Sequence, residues 1–187
     1  MKFTPLPLSG ARLVDLEPHG DERGFFARVF CAREFAEQGL CTRLVQISTS
    51  MSVPRHTLRG LHYQLPPHVE TKLVRCLAGA LFDVIVDLRP DSDTYGQSFG
   101  AELSAANRTM MYVPKGFAHG FLTLTENTEI LYFMDEFYAH ESGRGLRWND
   151  AGLGIAWPAP PALVSERDAG YPDFDREAHR ALLRTLG

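Results

Sequence analysis

The stretch LRGLHYQ, Leu58 to Gln64, sets His62 two residues after a glycine, with Arg59 just before it and Lys72 ten residues on. Further along stand His119, Tyr132, Arg167 and Asp168, and ahead of them Arg23. Imidazole, phenol, ammonium and carboxylate are groups that move protons and steady developing charge. His62 alone is open to three readings: a metal ligand, a proton carrier or a packed ring. A lone histidine in a turn such as LRGLHYQ is more often structural than catalytic. Plainer readings exist for the others as well. A strand tyrosine usually packs, with its hydroxyl on a nearby carbonyl. A lysine at a strand start is usually solvated, Asp168 in SERDAGYP suits a helix cap or turn, and His119 fits a tight corner.

Metal binding finds little support. A cupin-type metal site gathers several histidines and a carboxylate, commonly through a His-x-His pair. Here Gly60 and Gln64 occupy the positions two residues either side of His62. The six-residue spacing of His56, His62 and His68 suits neither a strand face nor a helix face.

The elements that must position these groups are mostly strands. LFDVIVDL, 81–88, places Phe82, Val84, Val86 and Leu88 on one face and Leu81, Asp83, Ile85 and Asp87 on the other. TKLVRCLAG alternates too, with a turn at Gly79–Ala80. FGAEL (99–103), TMMYV (109–113), FLTL (121–124) and EILYFMD (129–135) follow, separated by Pro, Gly, Asn and Asp. Tyr132 shares a strand face with Ile130 and Met134, and Lys72 with Val74 and Cys76. Both therefore point inward if the strands close a barrel. An inward lysine is costly unless it is paired or binds an anion, which favours a ligand cavity. Helices are expected at CAREFAEQ, ended by Gly39, and in a tail from about residue 174, where Phe174, Ala178, Ala181, Leu182 and Leu186 form a stripe. The pattern is that of an all-β jelly roll with small helical additions, one domain over residues 1–187.

Bulk properties set the outer limits. A chain of 187 residues, 44% hydrophobic and 22% charged, can bury one real core. A net charge of -4 without a basic block argues against nucleic acid. No run of eighteen apolar residues suggests a membrane span. Cys31, Cys41 and Cys76 suggest neither a disulfide framework nor a zinc site. Cytoplasm is the default.

Taken together and in order, DERGFFARVF, TLRGLHYQLPPHVETKLVRCLAGALFDVIVDLRPDSDTYGQ, VPKGFAHGFLTL, EILYFMDEFY, RWNDAGLGIAWP and VSERD resemble the dTDP-4-dehydrorhamnose 3,5-epimerases. The resemblance covers about residues 10–175. It implies a cupin-type jelly roll, a homodimer, and a nucleotide-diphosphate 4-keto sugar as substrate, with no metal and no organic cofactor. His62 then resembles the base, Asp168 the carboxylate that orients it, Tyr132 the acid on the opposite face, and Lys72 the cation at the keto oxygen. Arg23, Arg59, His119, Arg167, Gln46, Ser48, Arg28 and Tyr138 fall at substrate-binding positions. These types suit the task. The hydrogen beside a ketone is weakly acidic, and a donor aimed at the oxygen contributes on the order of 3–4 kcal/mol. A phenol near pKa 10 stays protonated until an enolate needs it. Guanidinium forks match diphosphate oxygens.

Some positions depart from the family. Gln46-Ile47-Ser48 stands where Gln-Asp-Asn is common, Arg28 where a glutamate is common, and Gly143 where many relatives carry an acid. One extra residue falls around Val53–Thr57. Arginine only donates hydrogen bonds, whereas thymine's ring N–H needs an acceptor. Arg28 therefore raises the expectation of another nucleotide, such as CDP, or a remodelled rim. The alternatives within reach are a single-carbon epimerase on a dTDP- or CDP-linked sugar, a metal-dependent cupin oxygenase, and a non-catalytic sugar-nucleotide binding module.

Overall fold

In the LFDVIVDL strand both faces are buried, so its alternation does not separate core from solvent. Leu81 and Ile85 belong to a cluster that also holds Val74, Cys76, Phe117, Phe121 and Ile130. Val84, Val86 and Leu88 pack with Leu61, Ala118, Leu146 and Leu153 in a second cluster, which Trp157 and Phe174 cover. The first cluster is the interior between two facing sheets. The second is the back of one sheet, sealed by the C-terminal third of the chain.

The computed structural model describes residues 1–186. Its first sheet runs, in spatial order, β1 (Lys2–Pro5), β2 (Arg12–Asp15), β10 (Met110–Val113), β7 (Lys72–Ala78), β12 (Thr128–Met134) and β5 (Gln46–Ser52). The second runs β13 (Gly143–Gly145), β6 (Thr57–Gln64), β11 (Phe117–Thr123), β8 (Ala80–Asp87) and β9 (Ser98–Ser104), with β14 (Leu163–Val164) parallel to β6. A separate hairpin pairs β3 (His19–Asp21) with β4 (Gly24–Phe26). Helix α1 (Ala32–Glu37) lays Phe35 on the outside of the first sheet, against Val14, Leu73, Met110 and Tyr112. The short α2 (Glu166–Ala169) follows β14, and α3 (Arg176–Leu186) closes the chain. This is the jelly roll expected from the strand spacing.

Three local expectations change. LRGLHYQ is not a turn but most of β6, because Arg59 and His62 pair with Phe121 and His119 of β11. The strand expected to begin at Phe121 begins at Phe117, so His119 sits in mid-strand and not at a corner. In α3 the stripe of Ala178, Ala181, Leu182 and Leu186 is exposed. That helix docks instead through His179, whose ring packs on Tyr63, Tyr95 and Phe174. Aromatic contact and a hydrogen bond from His179 to the Tyr95 hydroxyl decide the face; alanine's small surface does not.

Candidate active site

The site begins with a bulge. Between the pairs Arg59–Phe121 and His62–His119, β6 spends two residues, Gly60 and Leu61, where β11 spends one, Gly120. Strict alternation would send Arg59 and His62 to opposite faces; the extra residue turns both inward. Only glycine serves here. Gly60 has φ +121°, and a Cβ on it would lie 2.5 Å from the Gly120 Cα and 2.9 Å from the His119 carbonyl oxygen. The bulge also frees the Gly60 N–H, which donates to Asp168 Oδ2 at 3.1 Å.

Asp168 Oδ1 lies 2.7 Å from His62 Nε2. The carboxylate is 6% exposed and the imidazole 39%, so a buried anchor holds a ring that opens onto a cavity. A carboxylate only accepts, so Nε2 carries the hydrogen and Nδ1 presents the lone pair. Asp168 is placed by α2, whose first turn is capped where the Ser165 hydroxyl oxygen accepts the Asp168 N–H at 3.1 Å. Burial pushes the Asp168 carboxyl up, but the His62 ring, the Gly60 N–H and Ser165 outweigh it and hold the group below the ordinary range. A depressed folded value means that the stabilisation is present above the ordinary carboxyl value of 3.8 and is lost as pH falls through the folded one. Urea midpoints of the wild type and Asp168→Asn should therefore differ at neutral pH and draw together below pH 3.8. A gap that is constant with pH would contradict the linkage.

Across the interior, Tyr132 pairs with Val74 on β7 and Ser48 on β5. Its hydroxyl lies 2.9 Å from Ser50 Oγ. Burial pushes this phenol up to about 12, so it stays a proton donor throughout the neutral range. His119 bridges the two walls, standing directly opposite His62 in register and edge-on to the Tyr132 ring with centroids 6.3 Å apart. Its Nε2 meets Asp83 Oδ1 at 2.7 Å, and both side chains are buried. Asp83 Oδ2 has no hydrogen-bond partner among the described residues. Lys72 precedes Val74 by two residues on the same inward face, and its Nζ lies 3.0 Å from Glu70 Oε1, with the two side chains 12% and 11% exposed. The ammonium is thus kept from bulk water, as the inward parity of TKLVRCLAG requires.

Arg59, His62, Arg167 and Asp168 line one cavity of about 340 Å³. Arg59 is held by the Ser52 hydroxyl at 3.1 Å and the Met51 carbonyl at 3.0 Å. Arg167 donates to the Tyr171 hydroxyl at 2.7 Å. Gln46 lies in register with Met134, itself opposite Lys72, and its Oε1 accepts the Tyr138 N–H at 2.7 Å. Ser48 shares the inward row of Tyr132, and the Tyr138 side chain is exposed nearby. Two residues expected at the substrate are not brought to this cluster. Arg23 sits exposed on the β3–β4 hairpin, ion-paired to Asp21. Arg28 pairs with Glu34 at 2.8 Å, in a pocket shared with Met1 and Glu17.

Four contributors escaped the sequence reading. Ser50, Asp83, Glu70 and Gly60 each hold a site residue in place. Asp83 could have been found, since an inward strand face carrying a carboxylate demands a partner. Among the described residues, no three His, Cys, Asp or Glu side chains gather to hold a metal ion.

Residues 5–176 match the family model described as dTDP-4-dehydrorhamnose 3,5-epimerase. The chain belongs to that family. The resemblance carried by the ordered motifs is thereby borne out. A dTDP-4-dehydrorhamnose 3,5-epimerase of Sinorhizobium fredii is 44% identical over 93% of this chain and 90% of its own. The crystal structure of the Elizabethkingia anophelis enzyme superposes with a TM-score of 0.90 at 42% identity, covering 93% of this chain and 96% of that one. The Bacillus anthracis enzyme, solved with TDP and PPi bound, gives 0.89 at 40% identity, with coverage of 92% and 99%.

Proposed function

We propose that the protein inverts C3 and C5 of a dTDP-linked 4-keto-6-deoxyhexose, of the dTDP-4-dehydro-6-deoxyglucose to dTDP-4-dehydrorhamnose type. It is an isomerase that works through an enolate. The observation that supports the mechanism is that His119, paired in register with His62 on the adjacent strand, meets the Tyr132 ring of the opposing sheet edge-on. His62 Nδ1 takes the proton beside the ketone while Asp168 stabilises the imidazolium formed. Lys72 steadies the developing enolate oxygen, with Glu70 fixing the ammonium. Tyr132 then returns a proton from the other side, which inverts the carbon.

Arg59 and Arg167, on the cavity shared with His62, supply the cationic fork for a diphosphate. Holding the remote nucleotide there orients the sugar ring at the reacting pair. Gln46, Ser48 and Tyr138 form the rim toward the base. Arg28 is engaged by Glu34 and gives no support to a preference for CDP. The chain works as a homodimer in the cytoplasm. Edge strand β5 supports the assembly, because Ile47 and Met51 on its outer face are 60% and 51% exposed. No helix among the described residues is long and apolar enough to cross a membrane.

Turnover of dTDP-4-dehydro-6-deoxyglucose in deuterated water tests the reading. Two deuterons per product, with the rate unchanged by a chelator, are expected. A single deuteron would reduce the activity to one carbon, and a chelator-dependent rate would replace acid–base chemistry with metal chemistry.

A further inference from the structure

We propose that Ser50 relays the proton that reloads Tyr132 after each inversion, an assignment that rests on Tyr132 acting as the acid. Every inversion moves two protons in opposite senses. His62 gains one, and the Tyr132 O–H bond breaks as the new C–H bond forms. The imidazolium has direct access to solvent for its proton, since its ring is 39% exposed. The phenolate has no such freedom, because Tyr132 packs against the interior cluster.

The hydroxyl of Tyr132 makes one hydrogen bond among the described residues, to Ser50 Oγ at 2.9 Å. The other polar neighbours cannot take this role. Arg59 lends Nε to Ser52 and its NH2 group to Met51, and a guanidinium does not give up its proton. His119 meets the phenol ring by its edge and commits Nε2 to Asp83. Ser50 itself lies on β5, the last strand of its sheet, two residues along the same face from exposed Ser48. A hydroxyl both donates and accepts, so the transfer is concerted. The Ser50 O–H bond breaks as the Tyr132 O–H bond re-forms, and water at the β5 rim gives its proton to Ser50. The proton lost from His62 balances the one drawn in, and none is consumed overall.

Rapid-quench measurement of deuterium uptake separates relay from mere positioning. Ser50→Ala should show a burst of one deuteron per active site, drawn from the loaded Tyr132, followed by a steady phase slower by about tenfold or more. Ser50→Thr should restore the steady phase, and so should added imidazole buffer. A Ser50→Ala steady phase equal to wild type would overturn the relay. So would burst and steady phases slowed alike, because Ser50 would then only hold the phenol. Tyr132→Phe serves as the control for the underlying reading. If it exchanges at the full rate, the acid assignment itself fails, whereas an inactive Tyr132→Phe beside an unimpaired Ser50→Ala removes the relay alone.

Discussion

Asp168→Asn should lower the rate of deuterium uptake by on the order of 10³–10⁴-fold while the protein stays folded. The wild-type carboxylate satisfies two donors at once, the Gly60 N–H through Oδ2 and the His62 ring through Oδ1. An amide has one oxygen for those two donors. With that oxygen on Gly60, the NH2 group faces His62 Nε2 and forces the ring hydrogen onto Nδ1, the atom proposed to take the substrate proton. A thousandfold loss corresponds to about 4 kcal/mol of barrier. His62→Asn should cost a similar factor. The double variant should cost little more than either alone, because base and partner act as one unit. The expected signature is a fall in kcat with KM little changed. A variant within tenfold of wild type would mean that Asp168 is only a packing partner for His62.

Gly60→Ala should lower the melting temperature by about 10 °C or more and abolish activity with it. The new methyl would meet backbone atoms of β11, at 2.5 Å from the Gly120 Cα and 2.9 Å from the His119 oxygen. Strand backbone cannot swing aside as a side-chain tip can. Collision and strained φ together cost about 3–5 kcal/mol, and in a chain of this size each kcal/mol moves the midpoint by about 2–4 °C. Gly24→Ala provides the comparison. Gly24 has φ +130° but nothing within 4 Å of the added carbon, so it should show the conformational penalty alone. Equal losses in the two variants would show that close approach of β6 and β11 is not what makes Gly60 necessary.

The interior around the proposed site gives up stability for its ionisable groups. Asp83, Asp168, Glu70 and Lys72 are all largely withdrawn from water. A core built for stability alone would not retain four ionisable groups there. Each has a partner, and Asp83 keeps one oxygen without a hydrogen bond among the described residues. That oxygen belongs to the same carboxylate that meets His119 Nε2 through Oδ1.

Strand identity was legible from residue order because alternation is a local property of a pleated chain. LFDVIVDL, TKLVRCLAG and EILYFMD all lie within a residue or two of their expected bounds. The inward turn of Tyr132 and Lys72 followed from the same parity. The ordered motifs also carried the family, and with it the roles proposed for His62, Asp168, Tyr132 and Lys72. Three things lay beyond the sequence. Which face of LFDVIVDL lines the interior depended on a C-terminal third that seals the other. Arg59 and His62 share a face only because a bulge against Gly120 breaks the alternation, a feature of two strands pressed together. Ser50 meets Tyr132, and Asp83 meets His119, across separations of 82 and 36 residues. Periodicity reports what a segment does to its own neighbours, whereas hydrogen-bond partners are chosen by whichever strand packs opposite.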